Sequence, residues 1–98
     1  MRNNFFISYD LVFPGQHYPA VQDAIKSLGR WYKFQFSLFY INTAYTADEC
    51  DAIIGRALDA NDRLLIADSR YAVVRGVSQT DIEAINRVWL AEPVSYAA

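Results

Sequence analysis

Between residues 4 and 12 the chain alternates. Phe5, Ile7, Tyr9 and Leu11 fall on one side, and Phe6, Ser8 and Asp10 on the other. A period of two predicts a half-buried strand, and Pro14-Gly15 supplies the turn that closes it. The period then lengthens. Val21, Ala24, Ile25 and Leu28 stand at i, i+3, i+4 and i+7, the apolar stripe of a helix. Pro19 suits its first turn, where a missing N–H is no loss, and Gly29 offers a left-handed stop. From Arg30 to Tyr45 the period returns to two, with Tyr32, Phe34, Phe36, Leu38 and Tyr40 sharing a face while Lys33, Gln35 and Ser37 point away. This stretch predicts either one long bent strand or two strands meeting near Gln35–Ser37.

Thr46-Ala47-Asp48-Glu49 has the spacing of a capping box, with Cys50, Ile53, Ile54, Ala57 and Leu58 as the stripe behind it and Asn61-Asp62 as the close. Leu64 to Ala67 predicts a short buried strand, and Tyr71 to Val77 another. Thr80-Asp81-Ile82-Glu83 predicts a second capping box, opening a helix with Ile82, Ile85, Val88 and Trp89 inward. Pro93 stops that helix and Val94 to Ala98 forms a loose tail. The order β-α-β-β-α-β, then a short strand and a helix, predicts an α+β, ferredoxin-like domain. It spans residues 1–98, with a core over about 4–68 and a strand-helix extension over 70–92. Two amphipathic helices cover one face of such a sheet, and the other is left for a second copy.

Ninety-eight residues suit one domain. A hydrophobic share of 53%, with six Phe and seven Tyr, is more than so small a domain hides by itself, which points to a homo-oligomer. Nine basic against eleven acidic residues give a net charge of −2, the wrong balance for a protein that lives on phosphate contacts. The single cysteine, Cys50, permits no internal disulfide and fits a reducing compartment. No apolar run is long enough to span a membrane and the start lacks a signal-peptide layout, so a cytoplasmic protein is expected.

Asp10 is the leading candidate for chemistry. A carboxylate at the tip of a buried-type strand needs water, a counter-charge or a metal. The simpler alternative is a solvated turn residue before Pro14-Gly15. His17, in the loop that follows, is placed to act as an acid or base if the loop folds back, and is otherwise a solvated side chain. Ser8 shares the face of Asp10 and suits either a metal-bound water or plain sheet packing. Arg30, Trp31 and Lys33, interleaved with Tyr32 and Phe34, have the composition of a nucleic-acid platform and equally that of a strand with one wet face. Cys50 lies on an apolar stripe and reads as core. Asp48, Glu49 and Asp51 gather at a helix N-terminus, where the helix dipole accounts for them.

Phe6-Ile7-Ser8-Tyr9-Asp10-Leu11, then Pro14-Gly15, Ala24-Ile25-Lys26-Ser27-Leu28-Gly29, Trp31, Ser37 and Asn61-Asp62-Arg63-Leu64-Leu65-Ile66-Ala67 together resemble the SinR-like proteins. These are small bacterial and phage relatives of the CRISPR-associated adaptation dimer and, more distantly, of VapD-type toxins. The resemblance covers residues 4–68. It implies a homodimer in which the Asp closing the first strand, here Asp10, meets its copy and holds Mg²⁺ or Mn²⁺, which would polarise a phosphate and acidify a bound water. The acidic balance departs from the basic saddle of a nuclease.

Two functions follow. The expected one is a non-catalytic homodimeric interaction module, acting in bacterial or phage nucleic-acid defence as scaffold or inhibitor. It would take a protein partner, with Tyr71 and Trp89 among the contacts. The alternative is a Mg²⁺/Mn²⁺-dependent nuclease with paired Asp10 carboxylates, assisted by Ser8 and His17.

Overall fold

The computed structural model describes residues 2–12 and 17–90. Along the chain run β1 (Asn3–Asp10), α1 (Tyr18–Lys26), β2 (Gly29–Gln35), β3 (Leu38–Thr43), α2 (Ala47–Gly55), β4 (Arg63–Asp68) and α3 (Gln79–Leu90). The strands form one sheet in the order β2-β3-β1-β4, and every neighbouring pair is antiparallel. This α+β build of a four-stranded antiparallel sheet with three helices is compatible with the ferredoxin-like arrangement.

β1 and β3 are the two inner strands, and β1 alternates in burial. Phe5, Ile7 and Tyr9 are buried on one face, and Leu11 continues the row. Phe39 and Ile41 of β3 join them there, and Val21 and Ile25 of α1 with Cys50 and Ile54 of α2 close the core from above. Truncating a side chain such as Phe39 or Ile54, both wholly enclosed, removes contacts worth about 2–5 kcal/mol. The Thr46–Glu49 capping box is present in both directions, with Thr46 Oγ1 accepting from Glu49 N–H and Glu49 accepting from Thr46 N–H. α2 ends at Gly55, earlier than Asn61-Asp62. Ala57 and Leu58 reach back by tighter bonds to the carbonyls of Ile54 and Gly55 and still pack on the core.

The stretch from Arg30 to Tyr45 is two strands. They meet at Phe36-Ser37, and the β2–β3 register slips between Lys33 and Gln35. Gly29 is extended at φ 158° as the first residue of β2, and the α1 cap is Ser27. The turn expected at Pro14-Gly15 and the stop at Pro93 lie outside the described residues, as does the tail beyond it.

Three expectations need correction. Tyr71 to Val77 form no strand. That segment has no ladder partner among the described residues; Tyr71, Ala72 and Val74 border a cleft with Ile82, Ile85 and Trp89, while Tyr71 and Val73 are largely exposed. α3 opens at Ser78, whose Oγ accepts from Asp81 N–H at 3.1 Å, because Thr80 already lies inside the first turn. Finally, the second sheet face is not free: α3 packs over β2 and β3 on that side. Asn42 Nδ2 donates to the Val88 carbonyl at 3.0 Å and Asn4 Nδ2 to that of Trp89 at 3.3 Å, satisfying carbonyls that the last helical turn leaves open. No described helix is long and apolar enough to cross a membrane.

Candidate functional site

Asp10 ends β1 with its side chain exposed, opposite Arg63 of β4. Ser8, two residues back on the same face, sits between Leu65 and Leu38 in the register. Among the described residues no hydrogen bond or ion pair reaches the Asp10 carboxylate. It borders a shallow depression shared with Ser8, Asp62, Arg63 and Leu65. The depression holds two carboxylates of one chain, but the oxygens of Asp62 are engaged by Val12, Asp59 and His17. That leaves Asp10 beside an arginine on the facing strand, a donor set that does not by itself fit a resident Mg²⁺ or Mn²⁺. A second free carboxylate would have to come from another copy.

His17 does not turn toward Asp10. Its Nε2 stands 2.7 Å from Asp62 Oδ2 and 3.8 Å from Asp59 Oδ2. Asp62 is the hub that sequence reading missed. Its Oδ1 accepts from Val12 N–H at 2.9 Å and its Oδ2 from Asp59 N–H at 2.8 Å. The side chain is fully enclosed, although the residue as a whole is only half-buried. Its pKa is lowered, chiefly by the Val12 N–H, then by the Asp59 N–H and His17, against an opposing push from burial. One carboxylate therefore fastens the end of β1, the start of α1 and the α2–β4 loop. Asn61-Asp62 carried a turn signal, but nothing in the sequence links Asp62 to a histidine 45 residues away.

The remaining candidates divide between edges. Trp31 and Lys33 pair with Ile41 and Phe39 on the α1 side of β2, where Lys26 Nζ lies 4.6 Å from the Trp31 ring centroid. Arg30 pairs with Asn42 on the opposite face and borders a groove with Arg87. The basic-aromatic run is thus split across the sheet. Tyr71 and Trp89 do come together, lining one cleft of about 290 Å³ with Tyr40, Val74 and Ile85. Tyr71 is 83% exposed, whereas Trp89 is half-buried with its ring edge-on to Tyr40 at 6.0 Å. The Cys50 thiol is buried, and burial with the nearby Glu49 pushes it up to about 12, so it is no nucleophile.

Protein-family models, curated proteins and solved structures give no match to this chain. The geometry above is therefore what any functional reading must rest on.

Proposed function

We propose that this chain is a ferredoxin-like, non-catalytic interaction module that works as a homodimer. In keeping with the SinR-like resemblance, it would serve bacterial or phage nucleic-acid defence as a scaffold or inhibitor. The observation that carries the reading is the β4 edge. Among the described residues β4 pairs with β1 alone, which leaves its outer row of backbone groups without a strand partner there, and Leu65 on it is 57% exposed. An uncovered edge with an apolar side chain is a surface built to be completed by another strand. A second copy closes it symmetrically and buries Leu65 twice. Away from that edge, the cleft between Tyr71 and Trp89 suits an apolar anchor from a protein partner. The acidic side chains near the edge, Asp48, Asp51 and Asp10, suit a partner whose own groove is basic.

Light scattering on wild type and Leu65→Glu tests the dimer: a mass near twice the chain, falling to one chain in the variant, is expected. Monomeric wild type at high micromolar concentration overturns it.

The exposed Asp10 favours one second reading, the Mg²⁺/Mn²⁺-dependent nuclease. It requires a dimer that joins the two β1 ends, and it expects metal-dependent cleavage of RNA or DNA that Asp10→Ala abolishes without changing the fold. Wild type inactive across both ions and a range of salt removes it.

A further inference from the structure

Where the start of α1 meets the α2–β4 loop, one imidazole nitrogen and two carboxylate oxygens converge. The donor atoms of His17, Asp59 and Asp62 lie within 4.8 Å of one another. From His17 Nε2 the distances are 2.7 Å to Asp62 Oδ2 and 3.8 Å to Asp59 Oδ2. Around a tetrahedral zinc with ligands at about 2.0–2.1 Å, neighbouring donors stand about 3.3 Å apart, a spacing these two distances bracket.

The two carboxylates are held differently. Asp62 is enclosed, and Val12 N–H fixes its Oδ1, the kind of outer support that orients a metal-ligating carboxylate. The Asp59 side chain is 67% exposed, and at 3.8 Å its oxygen is too far from the ring for a hydrogen bond. Asp59 N–H donates to Asp62 Oδ2 and holds the loop, but without an ion the Asp59 carboxylate contributes only its 3.8 Å approach to His17. An ion between the three side chains accounts for that approach.

We infer that His17, Asp59 and Asp62 form a site for a divalent transition-metal ion of the zinc class, with three protein ligands and one open position. An imidazole nitrogen beside two carboxylates suits Zn²⁺, whereas Mg²⁺ and Ca²⁺ prefer oxygen alone. The ion would bind through the Nε2 lone pair and take the place of the direct His17–Asp62 contact. Asp10 takes no part, and the site stands whether or not the chain dimerises.

The test is calorimetric titration of Zn²⁺ into untagged wild type, Asp59→Asn, His17→Ala and Asp10→Ala, with Mg²⁺ as the control ion. His17 is the sole histidine, so one set of imidazole NMR signals reports its state directly. Among the described residues the Asp59 carboxylate accepts no hydrogen bond, so Asp59→Asn is expected to keep the His17–Asp62 pair and the fold, which circular dichroism checks. Expected are one Zn²⁺ per chain with a shift of the imidazole signals, affinity down about tenfold or more in Asp59→Asn, and binding lost in His17→Ala. Asp10→Ala should bind as wild type does, and Mg²⁺ should give no heat. Wild type that takes up no Zn²⁺ overturns the site. So does Asp59→Asn binding as tightly as wild type, which leaves His17–Asp62 a hydrogen-bonded latch only, or loss of binding in Asp10→Ala, which moves the ion to the depression at β1.

Discussion

At the scale of single residues, Asp62 has the most consequences. Its two oxygens take hydrogen bonds from Val12, Asp59 and His17, and these favour the charged form. Its folded pKa therefore lies below the ordinary 3.8. A depressed carboxylate adds stability that is complete above the unfolded value and lost as pH falls through the folded one. Asp62→Asn should thus lower the urea midpoint at pH 7 and at pH 5, with the gap to the parent protein closing below about pH 3.8. A His17→Gln background in both proteins keeps imidazole titration out of the comparison. A gap as wide at pH 3 as at pH 7 would show that the loss comes from shape and not from charge. Cys50 is the opposite kind of residue: its thiol, pushed up to about 12 and enclosed, meets reagent only when the chain opens. Labelling by an aromatic disulfide at pH 8 should be negligible in native buffer and complete in denaturant. Fast native labelling would mean that α2 opens far more readily than its packing implies. Of these residues the sequence exposed Asp10 and Cys50, each set off by the periodic pattern around it. The His17–Asp62 pairing depends on how two loops meet, which no local pattern records.

At the scale of elements, what was legible is what depends on neighbours in sequence. β1 followed from strict alternation, α1 from its stripe, and α2 from a capping box that the structure contains in both directions. What tertiary packing decides was not. The split at Phe36-Ser37 comes from pairing β2 against β3, and the run 71–77, strand-like in sequence, borders α3 across a cleft and joins no ladder among the described residues. The stripe on α3 was readable, but its docking side was not, since that depends on Asn4 and Asn42, polar residues on a sheet face expected to be open. The Asn42 amide is buried, and its Nδ2 reaches the Val88 carbonyl at 3.0 Å. Asn42→Ala leaves that helix end short of a donor, a loss of about 1–3 kcal/mol. Hydrogen exchange should quicken throughout α3 while β1 and β3 keep most of their protection. Equal loss across β1 and α3 would show that α3 and the sheet open as one unit, with Asn42 supporting both.

At the scale of the whole molecule, the question is how the open edge is closed. Two opposing terms meet at β4. Burying Leu65 from two copies is favourable, at about 25 cal/mol for each Å² of apolar surface removed from water, and new strand pairing adds hydrogen bonds. Against this, Asp48 and Asp51 flank the edge, and a two-fold contact brings each acidic pair toward its own copy. Salt screens the second term and leaves the first nearly untouched, with a screening length of about 10 Å at 0.1 M. Self-association should therefore tighten as sodium chloride rises from 0.05 to about 0.5 M, the reverse of an assembly held by opposite charges. Asp48→Asn with Asp51→Asn should produce the same tightening at low salt and make the dimer nearly salt-independent. Sedimentation equilibrium on the two proteins across that range measures both effects. Dissociation with rising salt would place the contact elsewhere, and the β2 edge is then the next surface to test, because Arg30 and Lys33 there and Arg87 of α3 could meet the acids of β4 head to tail. Such a contact does not close on itself, so it would appear as a concentration-dependent series of oligomers and not as a single dimer.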